Sequence, residues 1–411
     1  MLFGGAASFA SGAVLPDANR HVGTKWPYCT VWLLYTGGVD LNPFDYSDPV
    51  APEDLIDREP EVGTLLRLAT GAHNTRLSAP RRFGKTSVLR RVLQDARGLG
   101  RATVYVNFYG VTTLEEVAVR IERAYREQLQ GPLRRAAVAA IDALRPTGRL
   151  SVAPGIGVEI HGQRDRDAAE RLLGLLDLPI KVAQRSGGPV IVAFDEFQEV
   201  LSAGGEVDKL IRSRIEHHGQ AAGYVFAGSH PGLMAELFGE RQRALFEQAR
   251  PVGLGPLPDA ELAGHIGERF ERTGRRVEGM LDALLALVRG HPQRAMLAAH
   301  HLWEATPADQ TADEERWASA REGMFTELEE GFERTWSGLS RDQRRLMSGV
   351  AEGEGTLFAA RTLQRHQLSK AGAQHARDTL VAQGLLEASG GNAQIVDPLL
   401  EVWIAAGRRR P

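Results

Sequence analysis

The chain has 411 residues, 43% of them hydrophobic and 25% charged, with a formal net charge of −3. That length predicts two or three domains, and the near-neutral charge excludes a globally basic binder of nucleic acid or membrane, leaving such binding to a local patch. A single cysteine, Cys29, excludes an internal disulfide or a multi-thiolate metal site and fits a reducing, cytoplasmic compartment, and no apolar run is long enough to span a bilayer.

Residues 1–40 are rich in Gly, Ala and Ser, carry Trp26, Trp32 and Tyr35, and show neither a helical nor a strand period. Their short apolar run, Val31–Tyr35, comes too late for a signal peptide. The expectation is a disordered or weakly ordered extension, or a mis-called translation start with Val39 marking the first codon.

Asn42-Pro43-Phe44, Pro49 and Pro52 open the globular part, followed by a helical pattern from Asp57 through Leu68. Asn74–Ala79 reads as a short strand and Thr86–Ala96 as the helix after it; a second strand, Ala102–Phe108, leads into a helix over Thr113–Gln130. Strands alternating with helices predict parallel βαβ units covered on both faces. Ser151–His161, with Gly155 and Gly157 between alternating apolar residues, predicts an inserted hairpin, and Asp165–Arg185 a helix. Pro189–Phe194 and Gly223–Ala227 are continuous apolar runs, as central buried strands are. This α/β core is expected over 41–256.

From Pro258 the pattern is helical, over Asp259–Arg272, Glu278–Val288 and Gln293–Trp303. Together with a polar linker over 305–322 that runs into a helix, these predict a helical lid subdomain over 257–335. The last unit, 336–411, is predicted as helices Ser340–Val350 (capped by Ser340), Leu357–Leu363 and Ser369–Gln383. Strands Leu385–Ala388 and Ala393–Val396 then flank a Gly390-Gly391 turn. Three helices and a hairpin are the order of a winged helix-turn-helix.

Ala79-Pro80-Arg81-Arg82-Phe83-Gly84-Lys85-Thr86 fits the phosphate-loop (Walker A) pattern G-x-x-x-x-G-K-[ST], with Ala79 in the first glycine position. Backbone N–H groups at the start of the following helix would surround the β-phosphate of ATP, where the helix dipole favours negative charge. Gly84 permits close approach, Lys85 reaches the β- and γ-phosphates, and the Thr86 hydroxyl faces Mg²⁺. An accidental Gly-Lys-Thr is the alternative; the strand before the loop and the helix after it argue against that.

Val190-Ile191-Val192-Ala193-Phe194-Asp195-Glu196 is an apolar strand ending in two carboxylates, the Walker B arrangement. Asp195 would hold Mg²⁺ through its water shell, and Glu196 would orient the water that attacks the γ-phosphate. Adjacent carboxylates repel each other unless a cation compensates them. Glu199 is the weaker candidate.

At the end of the Tyr224–Ala227 run, Ser229 either senses the γ-phosphate or caps a helix starting near Pro231. Pro292 sits at a first helical turn, and Arg294 beside it either reaches nucleotide phosphate or is a surface residue. One of Arg241, Arg243 and Arg250 could act in trans on a neighbouring copy's nucleotide; the alternative is that all three are solvated.

Asn42-Pro43-Phe44, Ile56-Asp57-Arg58-Glu59, Pro80 through Ser87, Asp195-Glu196 and Phe226-Ala227-Gly228-Ser229 together resemble the archaeal-type ATPases. This is a family of the STAND branch near the AAA+ ATPases, distantly related to origin-recognition ATPases. The resemblance spans about residues 41 to 405. It implies an ATPase core, a helical lid and a winged helix, with Ser229 as first sensor and Gly290-His291-Pro292 as the lid's nucleotide contact. By the same likeness Asp57-Arg58-Glu59 would lie near the adenine; Ala79 departs from the family's glycine, and residues 1–40 have no counterpart in it.

In the predicted third helix of the last unit, Ser369, Lys370, Gln374, His375 and Arg377 are polar enough to meet bases or phosphates, and Arg408-Arg409-Arg410 adds a basic tail. Lys and Arg outnumber Asp and Glu by only three over 340–411, so packing on a protein partner competes with DNA binding. The leading expectation is a slow Mg²⁺-dependent ATPase working as a nucleotide-driven switch, with an unidentified protein partner and a homo-oligomer as candidate assemblies. An ATP-regulated DNA-binding initiator or regulator is the alternative. A phosphoryl-transferring kinase is disfavoured by the Asp195-Glu196 pair.

Overall fold

The computed structural model describes residues 41–144, 163–204, 206–353, 359–389 and 392–407. The expected N-terminal extension, the hairpin over 151–161, the Gly390-Gly391 turn and the Arg408–Arg410 tail lie outside the described residues.

Five parallel strands form the central sheet: β1 (Thr75–Ser78), β2 (Thr103–Asn107), β3 (Val190–Asp195), β4 (Ala222–Gly228) and β5 (Arg250–Gly253), in the order β2-β3-β4-β1-β5. Because side chains alternate along a strand, a strand buried on both faces feeds two cores. Val190, Val192 and Phe194 of β3 join Tyr224 and Phe226 of β4 in one core, whereas Ile191, Ala193, Val225 and Ala227 point into the other. The second core is covered by α1 (Glu59–Thr70) and α2 (Lys85–Gly98). The first is covered by α3 (Leu114–Gln128), α4 (Gly131–Asp142), α5 (Gln163–Leu176), α6 (Leu178–Ser186), α7 (Val207–Ile215) and α8 (Pro231–Gly239).

Two expectations are corrected here. The single helix over Asp165–Arg185 divides at Asp177 into α5 and α6, because Pro179 lacks the N–H that would continue the first helix and instead suits the first turn of the second. The sheet also has a strand beyond the expected ones, β5, a short edge strand whose residues are mostly exposed. At the opposite edge, β2 is closed by a side chain: the Gln128 amide accepts from Tyr105 N at 2.8 Å and donates to Tyr105 O at 2.7 Å.

The remaining helices are α9 (Asp259–Arg272), α10 (Glu278–Val288), α11 (Pro292–Ala305), α12 (Glu314–Gly338), α13 (Arg341–Ala351), α14 (Ala360–Arg365) and α15 (Lys370–Ala382). The antiparallel pair β6 (Leu386–Ser389) and β7 (Asn392–Ile395) follows, and then α16 (Pro398–Ala405). Ser340 opens α13 with a reciprocal capping box to Gln343, as its position predicts. Asp313 caps α12, so the polar stretch over 305–322 turns helical at Glu314. One apolar core runs through this half, from Leu262 of α9 to Trp403 of α16, and Phe44 inserts into it from the start of the described chain. The end of α15 folds back onto the α/β half: a Cβ added at Gly232 of α8 would lie 2.8 Å from Ala382 Cα, so that approach needs glycine. Among the described residues, no helix is long and apolar enough to cross a membrane.

Candidate functional site

The loop after β1 and the first turn of α2 open onto a cleft of about 1000 Å³ at the carboxyl end of the sheet. Gly84 takes the left-handed conformation (φ 82°) that turns the chain into α2. The first position behaves otherwise: Ala79 is not among the residues with positive φ, and its methyl is buried in the core. No glycine is needed there. The strained residue of the loop is Arg82, non-glycine at φ 68° and exposed.

Lys85 is buried, and its ammonium donates to Asp195 Oδ1 at 2.9 Å and to Glu196 Oε1 at 3.1 Å. The Thr86 hydroxyl donates to Asp195 Oδ2 at 2.9 Å, as does the Tyr105 hydroxyl at 2.9 Å. Burial and then Asp195 push the Tyr105 phenol well above its ordinary pKa, so it stays a donor. The loop cation thus sits among the acids of β3, the compensation that adjacent carboxylates require.

Glu196 lies just past β3 in the left-handed region (φ 50°, ψ 42°), which swings its carboxylate toward β4. There it accepts from the Ser229 hydroxyl at 2.5 Å and from Gln198 Nε2 at 2.6 Å. Burial raises the Glu196 carboxyl, but Lys85, Ser229 and Gln198 outweigh it and hold the group below the usual carboxylate range. Ser229 does not cap α8, which starts after His230 without a side-chain cap. The strand order explains its place, since β4 lies between the loop strand β1 and the acidic strand β3.

Gln198 is a site residue that the spacing does not announce. Its amide also accepts from Ser229 N at 3.3 Å and lies 3.4 Å from Ser229 Oγ, bridging the ends of β3 and β4. Three positions after Asp195 it reads as an ordinary polar residue; only the adjacency of β4 gives it a task.

The opposite wall comes from the helical half. His291 is buried, its ring lies edge-on to Phe83 of the loop at 4.7 Å, and Nδ1 accepts from Arg294 N at 3.3 Å to cap α11. Burial lowers the His291 pKa to about 4, so the imidazole is neutral. Pro292 occupies the first turn of α11 and lines the cleft. Arg294 is no surface residue: it is 4% exposed, it lines the cleft, and it forks onto Asp397. Ser87 is buried behind the loop, Pro80 is buried at the cleft, and Arg81 is exposed there. Arg58 also lines the cleft, buried, with Nη2 donating to Gly255 O at 2.6 Å.

Several predicted residues lie elsewhere. Arg241 is exposed, Arg243 pairs with Glu236, and Arg250 begins β5 opposite Thr75, at the end of the sheet away from the loop; none of the three lines the cleft. On α15, Ala373, Ala376 and Leu380 face the core while Lys370, Gln374 and His375 are exposed. Gln374 and Arg377 both bond to Asp378, and Ser369 is occupied as the α15 cap.

This architecture is shared with solved structures. A Walker-type ATPase of Pyrococcus abyssi superposes with a TM-score of 0.64 at 16% identity, over 88% of this chain and 99% of that one. The ORC2 protein of Aeropyrum pernix, in a structure with ADPNP and ADP, superposes with a TM-score of 0.54 at 16% identity, over 88% and 96% of the two chains. The fold is that of the P-loop ATPases. Neither a family model nor a curated protein sequence matches the chain. The likeness therefore lies in the three-dimensional arrangement and includes a distant similarity to origin-recognition ATPases.

The donor set fits Mg²⁺. Thr86 Oγ1 and Asp195 Oδ2 are hard oxygen donors 2.9 Å apart at the mouth of the loop, where this ion binds beside phosphates. Bound there, it would neutralise phosphate charge.

Proposed function

We propose that the protein binds ATP at this cleft and hydrolyses it slowly to ADP and phosphate with Mg²⁺. The observation that carries the reading is the joining of Lys85, Thr86, Asp195, Glu196 and Ser229 by direct hydrogen bonds at the carboxyl end of one parallel sheet. Nucleotide phosphates would replace the two carboxylates as partners of Lys85, and the loop N–H groups would hold them at the start of α2. Release of Lys85 frees Glu196 to accept a hydrogen bond from water. The water oxygen then bonds to the γ-phosphorus and gives one proton to Glu196, as the bond to the β–γ bridging oxygen breaks and its electron pair leaves on ADP. Ser229, already on Glu196, would report whether the γ-phosphate is present.

Residues 257–335 would serve as the lid, closing through His291, Pro292 and Arg294, and residues 336–411 as a winged helix that carries the change to a partner in the cytoplasm. The domain order supports a nucleotide-driven switch of the STAND type, with a homo-oligomer as one route for Arg241, Arg243 or Arg250 to act in trans. Phosphate release tests the reading: Glu196→Gln should retain ATP while turnover falls at least about 100-fold. Turnover at the wild-type rate in that variant would remove Glu196 from the mechanism.

A second reading is an ATP-regulated DNA-binding protein. The exposed Lys370, Gln374 and His375 on α15 favour it, as does the similarity to an origin-recognition protein. Engagement of Gln374 and Arg377 by Asp378 supports placing it second. A gel shift across a salt series decides: retained DNA that is lost as salt rises supports it, and no retention at low salt ends it.

A further inference from the structure

Arg294 projects from the first turn of α11 and Asp397 precedes α16, 103 positions later in the chain. The two form a fork. Arg294 Nε donates to both Asp397 oxygens at 3.0 Å, and Nη2 donates to Oδ2. The guanidinium carbon also lies 5.7 Å from the centre of the Phe332 ring on α12. Asp397 is doubly employed, since its Oδ1 accepts from Leu399 N at 3.0 Å and Leu400 N at 3.4 Å, capping α16. Burial raises the Asp397 carboxyl, but Arg294 outweighs it and holds the acid ionised.

The fork leaves one donor over. Arg294 Nη1 is buried without a hydrogen-bond partner, in a side chain that lines the same cleft as Lys85 and the loop. A buried guanidinium nitrogen left unpaired is unfavourable, so a partner arriving in the cleft that Arg294 lines would gain by a small turn of the guanidinium toward it. Arg82, exposed on the loop, is close enough to Arg294 and Asp397 to feel both charges. A phosphate oxygen in the cleft would satisfy the free nitrogen.

We propose that Asp397 is a positioning residue: it turns the Arg294 fork so that Nη1 faces the nucleotide phosphates, making the C-terminal unit part of the nucleotide site. The proposal rests on the ATP-binding reading above. By linkage, whatever the joint between α11 and α16 contributes to ATP affinity, ATP returns to the stability of that joint. Occupancy of the cleft is thus felt at the cap of α16 without a moving part in the sheet.

Calorimetric titration with MgATP of the full chain, Asp397→Asn, Arg294→Gln and the double variant tests this. Asparagine still caps a helix but cannot hold the charged fork, so Asp397→Asn should bind ATP about tenfold more weakly even when titrated well below its own, lowered melting temperature. Arg294→Gln should lose as much, and the double variant no more than either single one. A purely structural Asp397 would shift the melting temperature and leave affinity alone; wild-type affinity in folded Asp397→Asn overturns the proposal. Hydrogen exchange on the unmodified protein supplies an answer that needs no variant to fold. Saturating MgATP should slow exchange across 398–405, and unchanged exchange there with ATP bound overturns the proposal. No ATP binding by the unmodified chain would instead overturn the function reading on which the proposal rests.

Discussion

Lys85–Asp195 and Arg294–Asp397 face one cleft and are assembled in different ways. The first pair joins residues fixed by adjacent secondary structure: Lys85 starts α2 just past the loop that follows β1, and Asp195 ends β3, with only β4 between the strands. The second joins the first turn of α11 to the cap of α16, two elements brought together only by the apolar core of the helical half. In both, a buried cation meets a carboxylate that carries further hydrogen bonds, the condition under which such pairs persist. What differs is what each reports. A pair inside one sheet pre-organises chemistry, whereas a pair between separate elements makes the chemistry sensitive to how those elements dock.

Breaking the sheet pair should have the largest effect. Asp195→Ala strands the buried Lys85 with Glu196 alone and leaves the Tyr105 hydroxyl without its acceptor. The expected result is turnover reduced at least about 100-fold and a stability loss of about 3 kcal/mol, read by phosphate release and urea unfolding. Turnover within a few-fold of wild type would place the chemistry elsewhere.

The contact between the loop and the start of α11 should respond to acid. His291 is neutral in the folded chain with its pKa lowered to about 4, whereas the unfolded chain protonates near the ordinary value of 6.5. Below that value the unfolded state binds the extra proton, so stability present at neutral pH is lost as pH falls from about 6.5 toward about 4. The full shift is worth about 3 kcal/mol. His291→Asn, which keeps a side-chain acceptor at the α11 cap, should flatten that part of the pH profile; an identical slope in the variant would show that His291 does not carry it.

The smallest effect belongs to a pair on the rim of the contact between α16 and the turn from α10 to α11. Arg289 holds Glu401 of α16 with two bonds of 3.1 and 2.8 Å, but both side chains reach solvent. Glu401→Gln should change stability by less than about 1 kcal/mol, and less still in high salt. A larger loss in thermal unfolding would mean that the joint rests on its rim rather than on Arg294 and Asp397.

The same contrast explains what the sequence discloses. The loop and the acids of β3 are legible because each is a local pattern: a turn residue and a cation at a helix start, carboxylates at the end of an apolar run. Ser229 is legible as a residue but not as a partner, because its hydrogen bond to Glu196 depends on strand order. Gln198 and Tyr105 stay silent for the same reason. β5 is hard to read because Arg250-Pro251-Val252-Gly253 is short, carries a proline and is exposed on alternate sides alike, the marks of an edge strand. α16 had a signal, Asp397 as cap with Pro398 at the first turn, but its apolar residues lie all around the helix and give no period. Ala79, a departure from the motif, does not take the positive φ that would favour glycine, and its methyl is in the core.

The most direct test of the account is a calorimetric titration of the full chain with MgATP beside the same titration of Lys85→Ala. The account predicts saturable binding to the unmodified chain, and a loss of at least about 100-fold when the cation that bridges Asp195 and Glu196 is removed. Equal affinity in the two proteins would contradict it.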